Sequence, residues 1–168
     1  MPLQLYKISS TELTTSASSI TFSNIPQGYT DLKLVISARD TISASACDTR
    51  IRFNSDSGSN YTHRQLLGNG ASASSNSATN TSLYTAIIPA ATSTASTFGN
   101  YELYVPNYTA STQKSVSSDN VSENNGTTAY AKLVAGIWTG TAAINSITFL
   151  TDGTAFDANS TVTLYGIL

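Results

Sequence analysis

The sequence predicts an all-β protein, an antiparallel β-sandwich of jelly-roll-like form built from about eight to ten short strands. Three observations carry this. Apolar residues recur with a period of two wherever they gather, clusters of Gly, Pro, Asn, Asp and Ser separate those runs, and no stretch shows an apolar period of 3.6. A β-solenoid or fibre would need a fixed repeat, and none is visible.

The clearest strand grammar runs from Ser19 to Asn54. Ile20 and Phe22 alternate with Ser19 and Thr21. Leu32, Leu34, Ile36 and Ala38 alternate with Lys33, Val35, Ser37 and Arg39, and Ile51 and Phe53 alternate with Arg50 and Arg52. Pro26-Gln27-Gly28 supplies a fixed φ followed by a residue tolerant of positive φ, which is turn chemistry. These read as three strands of one β-layer. Before them, Leu3 to Ser9 is a short strand of ambiguous phase, and Ser10 to Ser18 is nearly all Ser, Thr and Ala. Residues 1–18 are therefore either an edge strand or an arm that orders on a partner, and 19–168 a single sandwich domain.

Beyond Asn54, Asp56 to Asn60 is a loop and Tyr61 to Leu67 a strand. Gly68 to Thr81 holds mainly Gly, Asn, Ala, Ser and Thr and reads as an exposed loop. Ser82 to Ile88 is a strand stopped by Pro89, and Ala90 to Thr97 a connection. Phe98 to Pro106 sets Tyr101, Leu103 and Val105 against Glu102 and Tyr104. Lys114 to Val121 leads into Asn125-Gly126, a hairpin signal. Tyr130 to Trp138 carries Leu133, Ala135 and Ile137 in one phase, taken as the core face. Ala143 to Leu150, the Asp152-Gly153 turn and Ser160 to Leu168 complete the chain.

At 168 residues, one domain buries roughly 70% of its unfolded surface and needs no staples. The single Cys47 excludes an intrachain disulfide and reads as a small buried residue, and the single His63 cannot complete a structural zinc site. Charged residues make up 11% of the chain and the net charge is -2, which argues against a nucleic-acid footprint. No run of apolar residues is long enough for a membrane helix, and MPLQLYKISSTEL lacks the basic and apolar regions of a secretory signal. Synthesis in a cytoplasm follows as the expectation.

No chemistry is legible. His63 in YTHRQ has no G-x-S-x-G partner and reads as a surface or interface residue. Asp152 to Asp157 lacks the ligand density of a calcium loop, and the Asn-x-Ser/Thr triplets at Asn60, Asn80, Asn107, Asn120, Asn125 and Asn159 follow from composition. The expectation is no enzyme, no catalytic residue, no cofactor and no metal. What remains is surface: Val35, Val134 and Trp138 read as outward apolar residues. Lys33, Arg39, Arg50 and Arg52 read as outward basic ones, so these with Val35 and Trp138 form the expected interface.

The segments ITFSNIPQGYTDLKLVISARD, TRIRFNSDSGSNYT, VPNYTAST, IWTGTAAINSITFL and TLYGIL together resemble small β-rich virion proteins of tailed bacteriophages. The similarity runs from Ile20 to Ile167, and the RFN strand with its Gly/Ser/Asn loop and the closing LYGI are its most distinctive parts. The resemblance implies a jelly-roll-like sandwich on the capsid exterior, a decoration (cement) protein bound as a homotrimer to the major capsid protein. Alternatively it implies a tail or head fibre module that contacts host surface polysaccharide. It transfers no catalytic residue.

Overall fold

In the computed structural model, which describes residues 4–126 and 128–168, twelve strands and no helix form two antiparallel sheets. They are β1 (Leu5–Glu12), β2 (Ser19–Phe22), β3 (Asp31–Ala38), β4 (Ala46–Phe53), β5 (Tyr61–Gly68), β6 (Ala73–Asn80), β7 (Leu83–Pro89), β8 (Gly99–Val105), β9 (Lys114–Ser122), β10 (Tyr130–Trp138), β11 (Ile147–Thr151) and β12 (Thr161–Ile167). Met1 to Leu3, where the expected first strand or arm begins, lie outside the described residues. From Leu5 onward β1 is the edge strand of the larger sheet, paired with β12.

The large sheet has the order β1-β12-β3-β8-β9-β10-β5-β6 and the small one β2-β11-β4-β7. Pairing is nested: β1 with β12, β2 with β11, β3 with β8, β4 with β7. A long hairpin of eight strands rolled into two layers gives this pattern, which is the jelly roll. Two inserted hairpins, β5–β6 after β4 and β9–β10 after β8, both add to the same edge of the large sheet. The sandwich is therefore lopsided, eight strands against four.

The core lies between the layers. Leu32, Leu34 and Ile36 of β3, Leu103 and Val105 of β8 and Leu164 of β12 meet Phe22 of β2, Ile51 and Phe53 of β4 and Ile147 and Phe149 of β11. Period-two alternation puts one apolar set from each strand here.

Four expectations are corrected. The strands of Ser19 to Asn54 do not share a layer: β2 and β4 belong to the small sheet and β3 to the large one, because successive strands of a rolled hairpin cross between layers. The Pro26-Gln27-Gly28 turn spans that crossing, with Gln27 Nε2 donating to Ile25 O and Ile144 O at 2.8 and 3.0 Å. The stretch read as a loop from Gly68 to Thr81 contains β6. An edge strand whose side chains are mostly exposed needs only a backbone partner, so its sequence shows no apolar alternation.

The phase of β10 is also inverted. Its inner residues are Lys132, Val134, Gly136 and Trp138, and Leu133, Ala135 and Ile137 face out. Gly136 lies against the small sheet, where a Cβ would stand 2.6 Å from Leu83 Cδ1, so the inner phase is poorer in carbon than the outer one. Val134 and Trp138 are accordingly buried, not outward.

Candidate functional site

The register of the large sheet fixes its outer face row by row, since directly opposed residues of antiparallel strands share a side. One row runs Thr163, Val35, Glu102, Asp119, Leu133, Leu66 across β12, β3, β8, β9, β10 and β5. The next runs Tyr165, Lys33, Tyr104, Ser117, Ala135, Arg64. Val121 and Ile137 flank these rows on β9 and β10. Leu133 and Leu66 are 52% and 54% exposed although they carry only carbon, and Val35, Val121, Ile137 and Tyr104 are exposed beside them.

A single groove of about 730 Å³ touches Leu5 on β1 and Leu66 on β5, with five strands between them. One cavity reaching both flanks means that the outer face is concave. The charges along it are few: Lys33 Nζ lies 2.7 Å from Glu102 Oε2, while Arg64 and Asp119 form no ion pair among the described residues. Asp31 accepts the Tyr104 hydroxyl on Oδ2 at 2.6 Å and the Asn107 amide on Oδ1 at 2.8 Å. That carboxylate pushes the Tyr104 phenol above its ordinary pKa by binding its protonated form.

The expected interface residues do not form one patch. Lys33 and Val35 lie on this face. Arg50 and Arg52 are on β4, in the other sheet. Arg50 pairs with Asp152 and sits 5.5 Å over the Tyr84 ring, and Arg52 Nε donates to Thr81 O at 3.0 Å. Arg39 is buried rather than outward. Alternation ends at Ala38, where β3 stops, and the guanidinium turns in to bind Thr94 O and Thr97 O, both at 2.9 Å, and Ser93 O. It thereby holds the connection at 93–97 in shape. Trp138 is core, between Phe53 and Tyr61.

His63 is corrected likewise. It is 5% exposed, on the inner side of β5, with its ring 5.5 Å from that of Tyr84. No serine hydroxyl bonds its Nδ1, which lacks any partner among the described residues. Cys47 is buried with its Sγ 3.2 Å from Thr151 Oγ1, and burial raises its thiol pKa, the opposite of an activated nucleophile. Among the described residues no group of three or more His, Cys, Asp or Glu is placed to hold a metal ion.

No protein-family model and no curated protein sequence matches this chain. Among solved structures it is similar to galectin LEC-6 of Caenorhabditis elegans at 13% identity, over 88% of this chain and 95% of that one, with a TM-score of 0.28. So loose a likeness carries no functional argument.

Leu66, Val121, Leu133 and Ile137 are the site residues that sequence reasoning passed over. The signal for them was Trp138: a large aromatic two residues from Gly136, in the phase of Val134, marks the inner face of β10 and so exposes the leucine phase.

Proposed function

We propose that this chain is a non-enzymatic structural protein of a tailed-phage particle, a decoration (cement) protein seated on the capsid exterior as a homotrimer with the major capsid protein as its partner. The observation that carries the reading is the apolar outer face of the large sheet. Five strands at sheet spacing over about seven residues give a face of about 500 Å². That footprint, apolar and polar residues together, is below the roughly 800 Å² per partner of a standard interface. Its exposed carbon at Leu66, Leu133 and Ile137 lies on β5 and β10, beside Glu102 and Asp119 on β8 and β9.

The concavity suits a convex partner surface, and closed symmetric assembly is the usual way such faces are covered. The charges on the face are sparse and balanced in sign, which favours a contact sealed by shape over one steered by charge. The resemblance from Ile20 to Ile167 names the particle. Reconstruction of intact virions tests the reading: density for this sandwich on the shell at three-fold positions is the expected result, and density only on the tail overturns it.

A further inference from the structure

On the small-sheet side of the large sheet lies a second concavity, of about 280 Å³, which the apolar face does not explain. It forms where the β5–β6 hairpin extends past β7, the last strand of the small sheet. Six polar side chains line it: Asp48, His63, Gln65, Asn76, Asn80 and Tyr84. Ala78 is its one apolar member. Gln65 alone is shared with the outer groove.

The charges here cancel. Lys132, whose side chain is 1% exposed, donates from Nζ to Asp48 Oδ1 at 2.8 Å, and the ammonium lies 6.0 Å from the Tyr84 ring centre. Arg50 and Asp152 pair with each other beside the same tyrosine. Burial, and after it the Lys132 charge, lowers the His63 pKa, so the imidazole is neutral at neutral pH. Its Nδ1 is buried without a partner among the described residues. An orphaned buried ring nitrogen in a polar cavity costs free energy unless a bound group satisfies it.

Each candidate ligand class meets a definite response. A lone anion meets the half-exposed Asp48 carboxylate, while a lone cation meets Lys132. An apolar ligand would desolvate three amides and a carboxylate without repaying them. A neutral ligand dense in hydroxyls satisfies all of them, since the carboxylate accepts from hydroxyls and the amides both donate to and accept from them. The volume lies just under the range of drug-sized pockets, enough for one ring and not for a chain of them.

We infer that the cleft between β4, β7 and the β5–β6 hairpin binds a single neutral sugar ring, held by Asp48, Asn76, Asn80 and Gln65 with His63 at its floor. This site is separate from the assembly face, and the proposed capsid role stands or falls without it.

Saturation-transfer NMR on the full chain, with glucose, galactose, mannose, N-acetylglucosamine and glucuronate in turn, tests it. At least one neutral sugar is expected to bind saturably at millimolar level, with glucuronate weaker, and Asn76→Ala to weaken binding by about tenfold. Asn76 is exposed on an edge strand, so the variant folds. Three results overturn the inference: no saturable signal from any neutral sugar at about 50 mM, far above that affinity; tighter binding of glucuronate; or full binding retained by both Asn76→Ala and His63→Phe.

Discussion

The indole Nε1 of Trp138 donates to Asp56 Oδ2 at 2.7 Å, joining the end of β10 to the loop that follows β4. The ring packs 5.6 Å from Phe53 and stacks on Tyr61 at 6.5 Å, while the Tyr61 hydroxyl accepts the Phe53 amide and donates to Asp56 O. One aspartate thus closes this end of the sandwich, with Asn60 and Gly58 also donating to it.

Removing that acceptor strands a buried indole N–H. Asp56→Ala is expected to cost about 1–3 kcal/mol, read as a lower urea midpoint by tryptophan fluorescence. Acid behaviour follows from the same bond. The Trp138 hydrogen bond favours the anion and holds the Asp56 carboxyl below its ordinary value. A depressed carboxylate contributes stability that is present above the unfolded-state pKa near 3.8 and is lost as pH falls through the lower folded value. Asp56→Asn should flatten the stability curve below about pH 4 and leave its shape at pH 7 unchanged. An identical acid limb in the two proteins would refute the assignment.

The Lys132–Asp48 pair is asymmetric: the ammonium is sealed and the carboxylate is 39% exposed. Losing either partner therefore has unequal effects. Asp48→Ala leaves a buried charge unpaired and is expected to cost about 3 kcal/mol, whereas Lys132→Met leaves a carboxylate that water can reach and should cost about 1 kcal/mol or less. Thermal or urea unfolding of the two variants decides it, and equal losses would mean that the ammonium is not sealed as described.

How far the sequence could be read depended on what each strand packs against. β3 and β8 are covered on one face by the small sheet, so Leu32, Leu34, Ile36, Tyr101, Leu103 and Val105 kept their alternation and their phase was plain. β10 carries carbon on both faces, and its inner one holds a lysine and a glycine. Period two was visible there, but which phase was inner was not. β6 buries almost nothing, so only its backbone pairing with β5 defines it. Layer membership was beyond reach for β2 to β4, because alternation is the same whichever sheet a strand joins. The polar cleft joins residues 48, 63, 76 and 84 through that layer assignment, which is why no local motif announced it.

Leu66 and Leu133 are direct cross-strand partners on the outer face. Replacing both with threonine keeps β propensity and removes carbon from the β5–β10 flank of the groove, whereas an acidic residue at 133 would also oppose Asp119. Because both are more than half exposed, Leu66→Thr with Leu133→Thr should move the unfolding free energy by no more than about 0.5 kcal/mol per site. Association should respond instead: under the proposed function the wild-type chain is expected to sediment as a trimer and to decorate shells, and the variant to sediment as a monomer and leave them bare. A variant that still assembles would remove this face from the interface.

His63 links pH to the core of the large sheet. Facing it are Lys132 of β10, Asp48 of β4 and Tyr84 of β7, with Arg64 next in the chain. Burial and the two cations oppose protonation more than Asp48 assists it, so the folded-state pKa lies below the ordinary 6.5. In the window between those two values the unfolded chain binds the proton and the folded chain does not, so stability rises with pH there. The contribution is complete above about pH 6.5 and is lost as pH falls from there toward the folded value. Urea midpoints measured from pH 7.5 to 5 should decline, and His63→Phe should decline less over the same interval. Because Asp56 titrates only below this range, its response is separable. A wild-type midpoint that stays flat between pH 7.5 and 5 would show that the imidazole is charged as readily in the fold as outside it, contrary to its burial against Lys132.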